Sequence, residues 1–409
     1  MNKPCFCFFN LDGIMKSKFS ILLGIIAIAG FSCRESGQKK SLTFADCPVV
    51  AQCISNNGDS LIVCDIEQVK DTFNIPLSSL LSSFEVIRLE NAENALTAVD
   101  GVVAVSDNYI GIASFKAKAY KLYDKKGNYL RTLSKPGQGP DEYYISIYDS
   151  YIDEKNRKVY LISGRATKLM VFDLEGNALE HIPLPYVTHK GRFIIYPEKE
   201  MLTMMVLPFL DTPSVIWEQD FKGNVHQEIP SGQFVIKPSD YSNEIWESLN
   251  TSKIDFSLVY WLPTRDTLYH YQPENNRLQP RFTLHFNEEV IRHNYIELPN
   301  HYLVWLIDQA AWSEMPRFSK ILVDKKTMRG CYVDFKLDML GNIDGPNKIS
   351  FSRGYFTAIM DSYALKEQLE KALSQPDKLN PEMLKKIKDL NNSITEDDNN
   401  IVFIGKLKD

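Results

Sequence analysis

The sequence predicts an all-β protein: a six-bladed β-propeller of four-stranded antiparallel blades, with a small helical insertion near the C-terminus. Short alternating apolar segments recur along the 409 residues, and aromatic residues, which favour sheets, make up 11% of them. A strand–turn–strand pattern also returns about every 50 residues, which is the period of a propeller blade. The turns of this pattern lie at five positions: Gly127, Gly176, Gly223, Asn276 and Gly330.

The clearest copy of the repeat is the hairpin turn Asp124–Asn128, which lies between two apolar segments. Gly127 can adopt the positive φ that a short reversal needs, and Asp124 can accept hydrogen bonds from the backbone of its own turn. The same arrangement returns at 172–177 and 220–224. Because it recurs, we interpret this turn as the outer hairpin of each blade and not as a ligand site.

The last blade is incomplete when the strands are assigned in chain order. Its strand-like segments, at 348–351, 355–360 and 401–406, are one strand short of four. The alternating segment Phe84–Leu89 can supply the missing strand, which would close the ring and remove the exposed sheet edges. A seventh blade would have to lie within 231–260, and six is the predicted number.

Two further regions flank the repeats. We assign residues 34–70 to a tether and an N-terminal extension, and 71–409 to the propeller. The insertion 361–391 has leucines at helical spacing in two segments separated by prolines, which predicts two amphipathic helices. The helices either pack on the side of the propeller or form a hairpin that docks a partner.

The N-terminal region 1–33 contains an export signal. Lys16 and Lys18 precede the apolar segment Phe19–Ile28, which is short for a membrane span. The small residues that follow and Cys33 resemble a bacterial lipobox, and this resemblance implies cleavage before Cys33 and acylation of its thiol. The alternative is an ordinary signal peptide with a coincidental cysteine.

These N-terminal features also predict a location. Translation is expected to start at Met15, because the residues before it fit poorly in front of a good signal. Arg34–Lys40 lacks the acidic run that accompanies surface export in some lipoproteins. We therefore expect an outer-membrane lipoprotein on the periplasmic face, held to the membrane by its lipid anchor alone.

Charge and cysteine content limit the possible partners. A net charge of −6 and a pI near 5.8 argue against nucleic-acid binding. The exported part has four cysteines in no zinc-binding spacing: Cys47, Cys53, Cys64 and Cys331. Cys47 and Cys53 are close enough in sequence for a disulfide in an oxidising compartment, and buried free thiols are an equal alternative.

Several motifs resemble a known family. The segments Gly137–Tyr143 and Phe172–Asn177 resemble the NHL-type propeller repeat, and the chain is similar to the six-bladed β-propeller lipoproteins of Gram-negative gut anaerobes. Segments 84–90, 266–269 and 396–402 agree with this likeness. The resemblance implies the fold over roughly residues 70–409, and it implies no particular activity.

Four residues are candidates for ligand binding. Asp141, Glu142 and Tyr143 follow a glycine-rich segment between two blades, near the start of an inner strand, where propellers often present ligand groups. Arg165 lies in a short loop where it could bind an anion. The alternatives are a loop that needs glycine and proline for its path, and a solvated surface arginine. The segment lacks the strand-to-helix context and the Lys-Ser/Thr of a phosphate-binding loop.

An enzyme is the second functional hypothesis. Some six-bladed propellers are calcium-dependent hydrolases or lyases, and Ca²⁺ needs six to eight converging oxygens. The possible donors Asp107, Asp141, Glu142 and Asp153 match no defensible loop spacing, and neither a histidine motif nor a Gly-x-Ser-x-Gly elbow is present. We therefore predict a non-enzymatic scaffold without a cofactor that binds an envelope protein, a peptide or a glycan.

Aromatic residues offer one further signal. Five of them could line a sugar-binding face by stacking on apolar ring faces, or could fill the space between blades, as most propeller aromatics do. They are Tyr260, Trp261, Trp305, Trp312 and Tyr355.

Replacing Cys33 by alanine tests the lipid anchor. The Cys33→Ala variant should move from the membrane fraction to the soluble fraction, because it lacks the thiol that carries the lipid. Immunoblotting of separated membrane and soluble fractions measures this shift. Cys53→Ala is the control and should stay with the membrane. A Cys33→Ala protein that still sediments with membranes would show that the lipobox interpretation is wrong.

Overall fold

A computed structural model describes residues 44–56, 58–209, 211–235, 240–262, 264–308, 317–346 and 348–409. Within these ranges the chain forms six β-sheet blades, and each contains four antiparallel strands in a simple up-and-down order. The predicted signal, Met15, Cys33 and the tether before residue 44 lie outside the described residues.

The strands before the first complete blade belong to three different sheets. In chain order they are β1 Ala51–Asn56, β2 Asp59–Asp65, β3 Thr72–Pro76 and β4 Leu81–Arg88. Blade 1 follows and consists of β5 Val102–Val105, β6 Tyr109–Ser114, β7 Ala119–Asp124 and β8 Tyr129–Ser134. Blade 2 consists of β9 Ile147–Asp153, β10 Lys158–Ser163, β11 Ala166–Asp173 and β12 Ile182–Thr188.

The later blades repeat this order. Blade 3 consists of β13 Gly191–Tyr196, β14 Met201–Val206, β15 Ser214–Asp220 and β16 Val225–Pro230. Blade 4 consists of β17 Glu244–Trp246, β18 Ile254–Val259, β19 Thr267–Gln272 and β20 Arg277–His285. Blade 5 consists of β21 Arg292–Glu297, β22 His301–Asp308, β23 Arg317–Asp324 and β24 Gly330–Leu337, and the short β25 Ile343–Asp344 pairs with β24. The segment 231–260 thus contributes to blade 4 and contains no extra blade.

Blade 6 joins the two ends of the propeller. Its strands are β26 Ile349–Ser352, β27 Tyr355–Met360, β28 Ile401–Leu407 and, at the outer edge, β4. β28 and β4 pair antiparallel from Ile401↔Arg88 to Leu407↔Leu81. The predicted closure by the strand at Phe84–Leu89 is confirmed, with the strand beginning slightly earlier than the sequence pattern indicated.

The outer hairpins have the predicted turn chemistry at four of the five positions. Gly127, Gly176, Gly223 and Asn276 all have positive φ, and Asp124 Oδ1 accepts hydrogen bonds from the backbone of Lys126 and Asn128 at 2.8 and 2.9 Å. A Cβ on Gly127 would lie 2.0 Å from the Arg88 carbonyl oxygen, so this turn also needs glycine for its contact with β4. The fifth turn lies between β23 and β24, directly before Gly330, as predicted, and its positive φ belongs to Met328.

The N-terminal extension adds strands to two blades. β2 pairs parallel with β20 and places the β1–β2 hairpin at the outer edge of blade 4. β3 pairs parallel with β24 and extends blade 5. Buried residues at the first of these edges, among them Cys64, Phe282 and Leu284, form one apolar cluster. The sequence pattern predicted an extension here but did not predict this pairing.

The insertion in blade 6 forms two helices, α1 Ser362–Leu373 and α2 Pro381–Ser393. Asp361 and Asn380 cap their N-termini by accepting hydrogen bonds from backbone N–H groups in the first turn. Leu365, Leu369 and Ile387 are fully buried in the cluster that also contains Leu340 and Ile343 of the segment after β24. The apolar faces of both helices are therefore used in packing on the propeller.

Shortening one side chain at the junction of β28 and β4 should weaken the whole propeller. Phe403 is 0% exposed and stacks on Phe84 with ring centroids 5.9 Å apart. We expect Phe403→Ala to lower the free energy of unfolding by about 3–5 kcal/mol, because it leaves a cavity at the junction of β28 and β4, where the circle of six blades closes. Chemical denaturation measures the loss.

The matched control for this change is Phe115→Ala, because Phe115 is 69% exposed. It should alter stability by no more than about 0.5 kcal/mol. Equal effects of the two substitutions would show that the β28–β4 junction has no special importance for stability.

Candidate functional site

The two faces of the propeller carry different connections. In an antiparallel meander, the first and third turns of a blade lie at one end, and the second turn and the connection to the next blade lie at the other. We call the first end the lower face and the second the upper face. Hydrogen bonds within each face support this division: Lys125 N donates to Asn108 O below, and Gly164 N donates to Ser146 O above. The glycine hairpins therefore lie on the lower face.

A cavity of about 370 Å³ lies at the upper face. It is lined by blade 1, by the connection from blade 1 to blade 2, and by the inner strands of blades 2, 3 and 4. We call it the upper cavity. Side chains that could meet a ligand there are Asp100, Phe115, Tyr143, Tyr148, Arg192 and Trp246.

Two cations at the upper cavity hold blades 2, 3 and 4 together. Arg192 on β13 donates to the carbonyl oxygens of Tyr148 and Ile245, which belong to blades 2 and 4. Lys190, just before β13, donates to the carbonyl of Asn243 at 2.9 Å and forms an ion pair with Glu244. Their positive ends also face aromatic rings: Arg192 lies 5.6 Å from the centroid of Trp246, and Lys190 lies 5.4 Å from that of Tyr148.

Arg192 forms a buried ion pair with Glu247, with Nε 3.1 Å from Oε2. Burial opposes the charge on Arg192, but the carboxylates of Glu247, Asp149 and Glu244 outweigh it and raise the pKa of the guanidinium. On Glu247 the balance is reversed. Burial favours its neutral form more strongly than Arg192 favours the carboxylate, and the pKa of Glu247 rises to about 7.

The lower part of the channel is occupied by Arg353, in the turn between β26 and β27. Its Nη2 lies 2.9 Å from Asp149 Oδ2 of blade 2 and donates to the Phe193 carbonyl of blade 3 at 2.7 Å. Its backbone N–H donates to Ser248 O of blade 4. Arg353 thus crosses the channel from blade 6 to the opposite side, and the upper cavity lies above these contacts.

The charges around the channel compensate one another. Arg192, Lys190 and Arg353 each have a carboxylate partner, as described above. Lys348 donates to the Asp100 carbonyl at 2.9 Å; burial lowers the pKa of Lys348, and the nearby Asp100 carboxylate opposes this shift. Asp100 in turn accepts hydrogen bonds from Ser114 and from the backbone of Lys116. The cavity therefore presents hydrogen-bonding groups and aromatic rings without an excess of either charge.

Three of the predicted ligand-binding residues lie together in the loop between blades 1 and 2. Asp141 Oδ1 is 3.1 Å from His181 Nε2, and Glu142 Oε2 accepts from the backbone of Gly139 at 3.0 Å. Because His181 Nδ1 accepts the Val171 N–H, its Nε2 carries the proton and donates to Asp141. Tyr143 is buried and lines the upper cavity. Asp141 and Glu142 therefore have roles in holding the loop together.

Arg165, the fourth predicted residue, lies in the β10–β11 turn on the same face. It is exposed, has a φ of +54°, and lies 5.9 Å from the ring centroid of Tyr144. The structure places Arg165 beside the loop but outside the lining of the upper cavity. Ligand binding by the four predicted residues stays a prediction.

The possible calcium donors do not converge. Asp107 and Asp153 lie at the lower ends of blades 1 and 2, where Asp153 binds the backbone and side chain of Asn156, whereas Asp141 and Glu142 lie on the upper face. In the described parts of the chain, no three His, Cys, Asp or Glu side chains are grouped as a metal site requires.

The aromatic residues singled out from the sequence mostly lie elsewhere. Tyr260 is buried and donates to the Phe234 carbonyl, and Trp305 is buried in the core of blade 5. Trp312 lies outside the described residues. The aromatic residues of the upper cavity are Phe115, Tyr143, Tyr148 and Trp246, of which only Tyr143 was a sequence candidate. A rule that selects residues within two positions of an end of an inner strand would have included Tyr148 and Trp246.

Fold and channel together define a six-bladed β-propeller with a cavity at its upper face. The chain belongs to the family DUF4934, a domain of unknown function, whose model matches residues 61–406. No curated protein matches the chain. Across the described residues, no helix is long and apolar enough to cross a membrane.

Three solved structures are similar to the chain, two from Bacteroides species and one from Toxoplasma gondii. A Bacteroides fragilis protein, provisionally described as exported, is 15% identical, covers 85% of this chain and 100% of its own, and has a TM-score of 0.56. This likeness shows the fold alone. A DUF4221 member from Bacteroides vulgatus is 11% identical, with coverages of 81% and 98% and a TM-score of 0.41. The WD40 domain of Toxoplasma gondii coronin is 8% identical, with coverages of 70% and 72% and a TM-score of 0.38.

The raised pKa of Glu247 predicts a specific pH dependence of stability. The folded protein holds this proton up to about pH 7, whereas the unfolded chain releases it near 4.5. The contribution of Glu247 to stability is therefore present below pH 4.5 and is lost as pH rises toward 7. Glu247→Gln removes this dependence. Between pH 4.5 and 7.5 the free energy of unfolding of the variant should therefore rise relative to that of the native protein by on the order of 3 kcal/mol.

Denaturant unfolding of both proteins across this pH range measures the difference. The exposed Gln233→Asn serves as the control, because it changes no ionisable group, and its curve should run parallel to that of the native protein at every pH. Parallel curves for Glu247→Gln and the native protein would show that Glu247 is ionised in the folded protein throughout the range.

Proposed function

We propose that this protein is a non-enzymatic binding protein of the cell envelope that holds a neutral oligosaccharide in the upper cavity. The observation that carries the proposal is an aromatic-lined cavity of about 370 Å³ whose cations Arg192 and Lys190 are each paired with a carboxylate. Cavities of this size accommodate small ligands or a short part of a chain.

Charge compensation favours a neutral ligand. A charged ligand would have to separate Arg192 from Glu247, or Lys190 from Glu244, and would leave one charge of the pair buried without its partner. Removing one member of a buried ion pair is costly. Hydroxyl groups can instead share hydrogen bonds with groups that are already paired, so a sugar fits this lining without that cost.

Aromatic rings supply the apolar contact that such a ligand needs. Phe115 is 69% exposed at the edge of the cavity, and Tyr148 and Trp246 are half-buried in its wall. Sugar rings have apolar faces that pack against aromatic side chains, while their hydroxyls point sideways toward polar groups. A peptide would also contact these rings, but the compensated lining offers no charged anchor for its termini.

The envelope location is part of the proposal. It is supported by the apolar segment and cysteine at 19–33, and by the likeness to a Bacteroides fragilis protein provisionally described as exported. A lipid on Cys33 would hold the propeller at the outer membrane, with the periplasmic face favoured.

Binding to a printed array of neutral oligosaccharides of two to eight sugars tests the function. The full-length protein, purified in detergent, should bind at least one neutral oligosaccharide, and Phe115→Ala and Trp246→Ala should each weaken that binding about tenfold, or about 1.4 kcal/mol. Tyr363→Ala is the matched control, because Tyr363 is 53% exposed on α1 and does not line the cavity.

Acidic oligosaccharides and unstructured peptides form the other arms of the same array. Binding of peptides alone, or of acidic glycans in preference to neutral ones, would overturn the proposed ligand class. Binding of neutral glycans that is unchanged in Phe115→Ala and Trp246→Ala would overturn the proposed site.

A further inference from the structure

Two buried cysteines meet where the N-terminal segment joins blade 5. Val49 and Arg329 form an antiparallel β-bridge. Val50 N donates to Met328 O at 2.9 Å, and Gly330 N donates to Pro48 O at 3.0 Å. These two hydrogen bonds flank the bridge and determine which residues lie opposite one another.

The register brings Cys47 to Cys331. In an antiparallel pair, the neighbours on the same face of one opposing pair lie two residues before it on one segment and two residues after it on the other. Cys47 is two residues before Val49 and Cys331 is two residues after Arg329, so the bridge brings the two cysteines to the same side of this junction. The two side chains come together in the structure: both lie in one apolar cluster, and each thiol affects the pKa of the other.

The surroundings hold both thiols in place. Cys47 and Cys331 are each 0% exposed and belong to the same apolar cluster. The guanidinium of Arg329 donates to the Cys47 carbonyl and ties the backbone of the segment to blade 5. A disulfide requires Cα atoms roughly 4.4–6.8 Å apart and facing side chains. The bridge two residues from each cysteine and the shared apolar cluster bring the two side chains together in this way.

The other described cysteines have different surroundings. Cys53 is exposed on β1, with its sulfur 2.8 Å from Ser60 Oγ, and Cys64 is buried in the cluster against blade 4. The structure therefore does not bring Cys47 and Cys53 together, although they are neighbours in sequence.

We propose that Cys47 and Cys331 form a disulfide in the exported protein. Two thiols give up two protons and two electrons as the S–S bond forms, and a protein disulfide of the oxidising envelope compartment accepts them and becomes a dithiol. The exchange passes through a mixed disulfide, in which one cysteine thiolate attacks the oxidant and the second cysteine displaces it.

The bond forms before the N-terminal segment is fully packed. Burial raises the pKa of both thiols, which disfavours the reactive thiolate once the segment has docked. After docking, the bond is shielded from reductants by the same burial. It links blade 5 covalently to the segment that leads toward Cys33. A force transmitted through a membrane tether would therefore reach this covalent bond before it could separate β1, β2 and β3 from their sheets.

Mass spectrometry of the exported full-length protein tests the disulfide. Cells are lysed in denaturant with N-ethylmaleimide, and the protein is digested without reduction. A peptide pair linked through Cys47 and Cys331, with Cys53 and Cys64 carrying the alkyl group, is the expected result. Alkylation of both Cys47 and Cys331, or a link from either of them to Cys53, would overturn the proposal.

Thermal unfolding with and without dithiothreitol provides a second readout. The native protein should lose about 5 °C in its midpoint when reduced, because the cross-link closes a long loop. Cys331→Ala should show no dependence on the reductant. Cys64→Ala is the matched control, because it also removes a buried thiol but should keep the full dependence. To ensure full reduction, the native protein is unfolded in dithiothreitol and refolded before the scan. An unfolding midpoint that is the same with and without this treatment would contradict a stabilising disulfide.

Discussion

The pairing of β4 with β28 is the interaction on which the rest of the structure depends. Each blade has two sheet edges that must be covered or paired. The last blade obtains its fourth strand, β4, from the start of the propeller, and this pairing closes the ring of blades. Phe84 stacking on Phe403 adds an apolar contact to the backbone pairing at this junction. Once the ring is closed, the six inner strands surround one channel, and the distances across that channel are set.

The channel shows how the ring creates a site from residues that are far apart in sequence. Arg353 of blade 6 contacts Asp149 of blade 2 and Phe193 of blade 3, and Arg192 joins blades 2 and 4. Each of these cations is matched by a carboxylate, because a buried charge without a partner would be costly. This pairing leaves aromatic rings and shared hydrogen bonds as the means of contacting a ligand in the upper cavity.

Sequence reasoning succeeded where the signal was local. The turns at Gly127, Gly176 and Gly223 were predicted because glycine and a neighbouring aspartate form such turns without help from distant residues. The fifth turn was also placed correctly, although Met328, and not a glycine, takes the left-handed conformation in it. The aromatic lining was not predicted, because a tyrosine or tryptophan on a strand has the same local pattern whether it faces the channel or the next blade.

The sequence by itself determined the strand periodicity, the turn chemistry, the number of blades and the helical insertion, because each depends on residues within one hairpin or helix. Only the tertiary structure decided which strands the N-terminal extension joins, which side chains line the upper cavity, and that Cys47 meets Cys331 and not Cys53. These outcomes depend on pairing between segments hundreds of residues apart. Such pairing is selected by burial and register across the whole ring, and no local pattern records it.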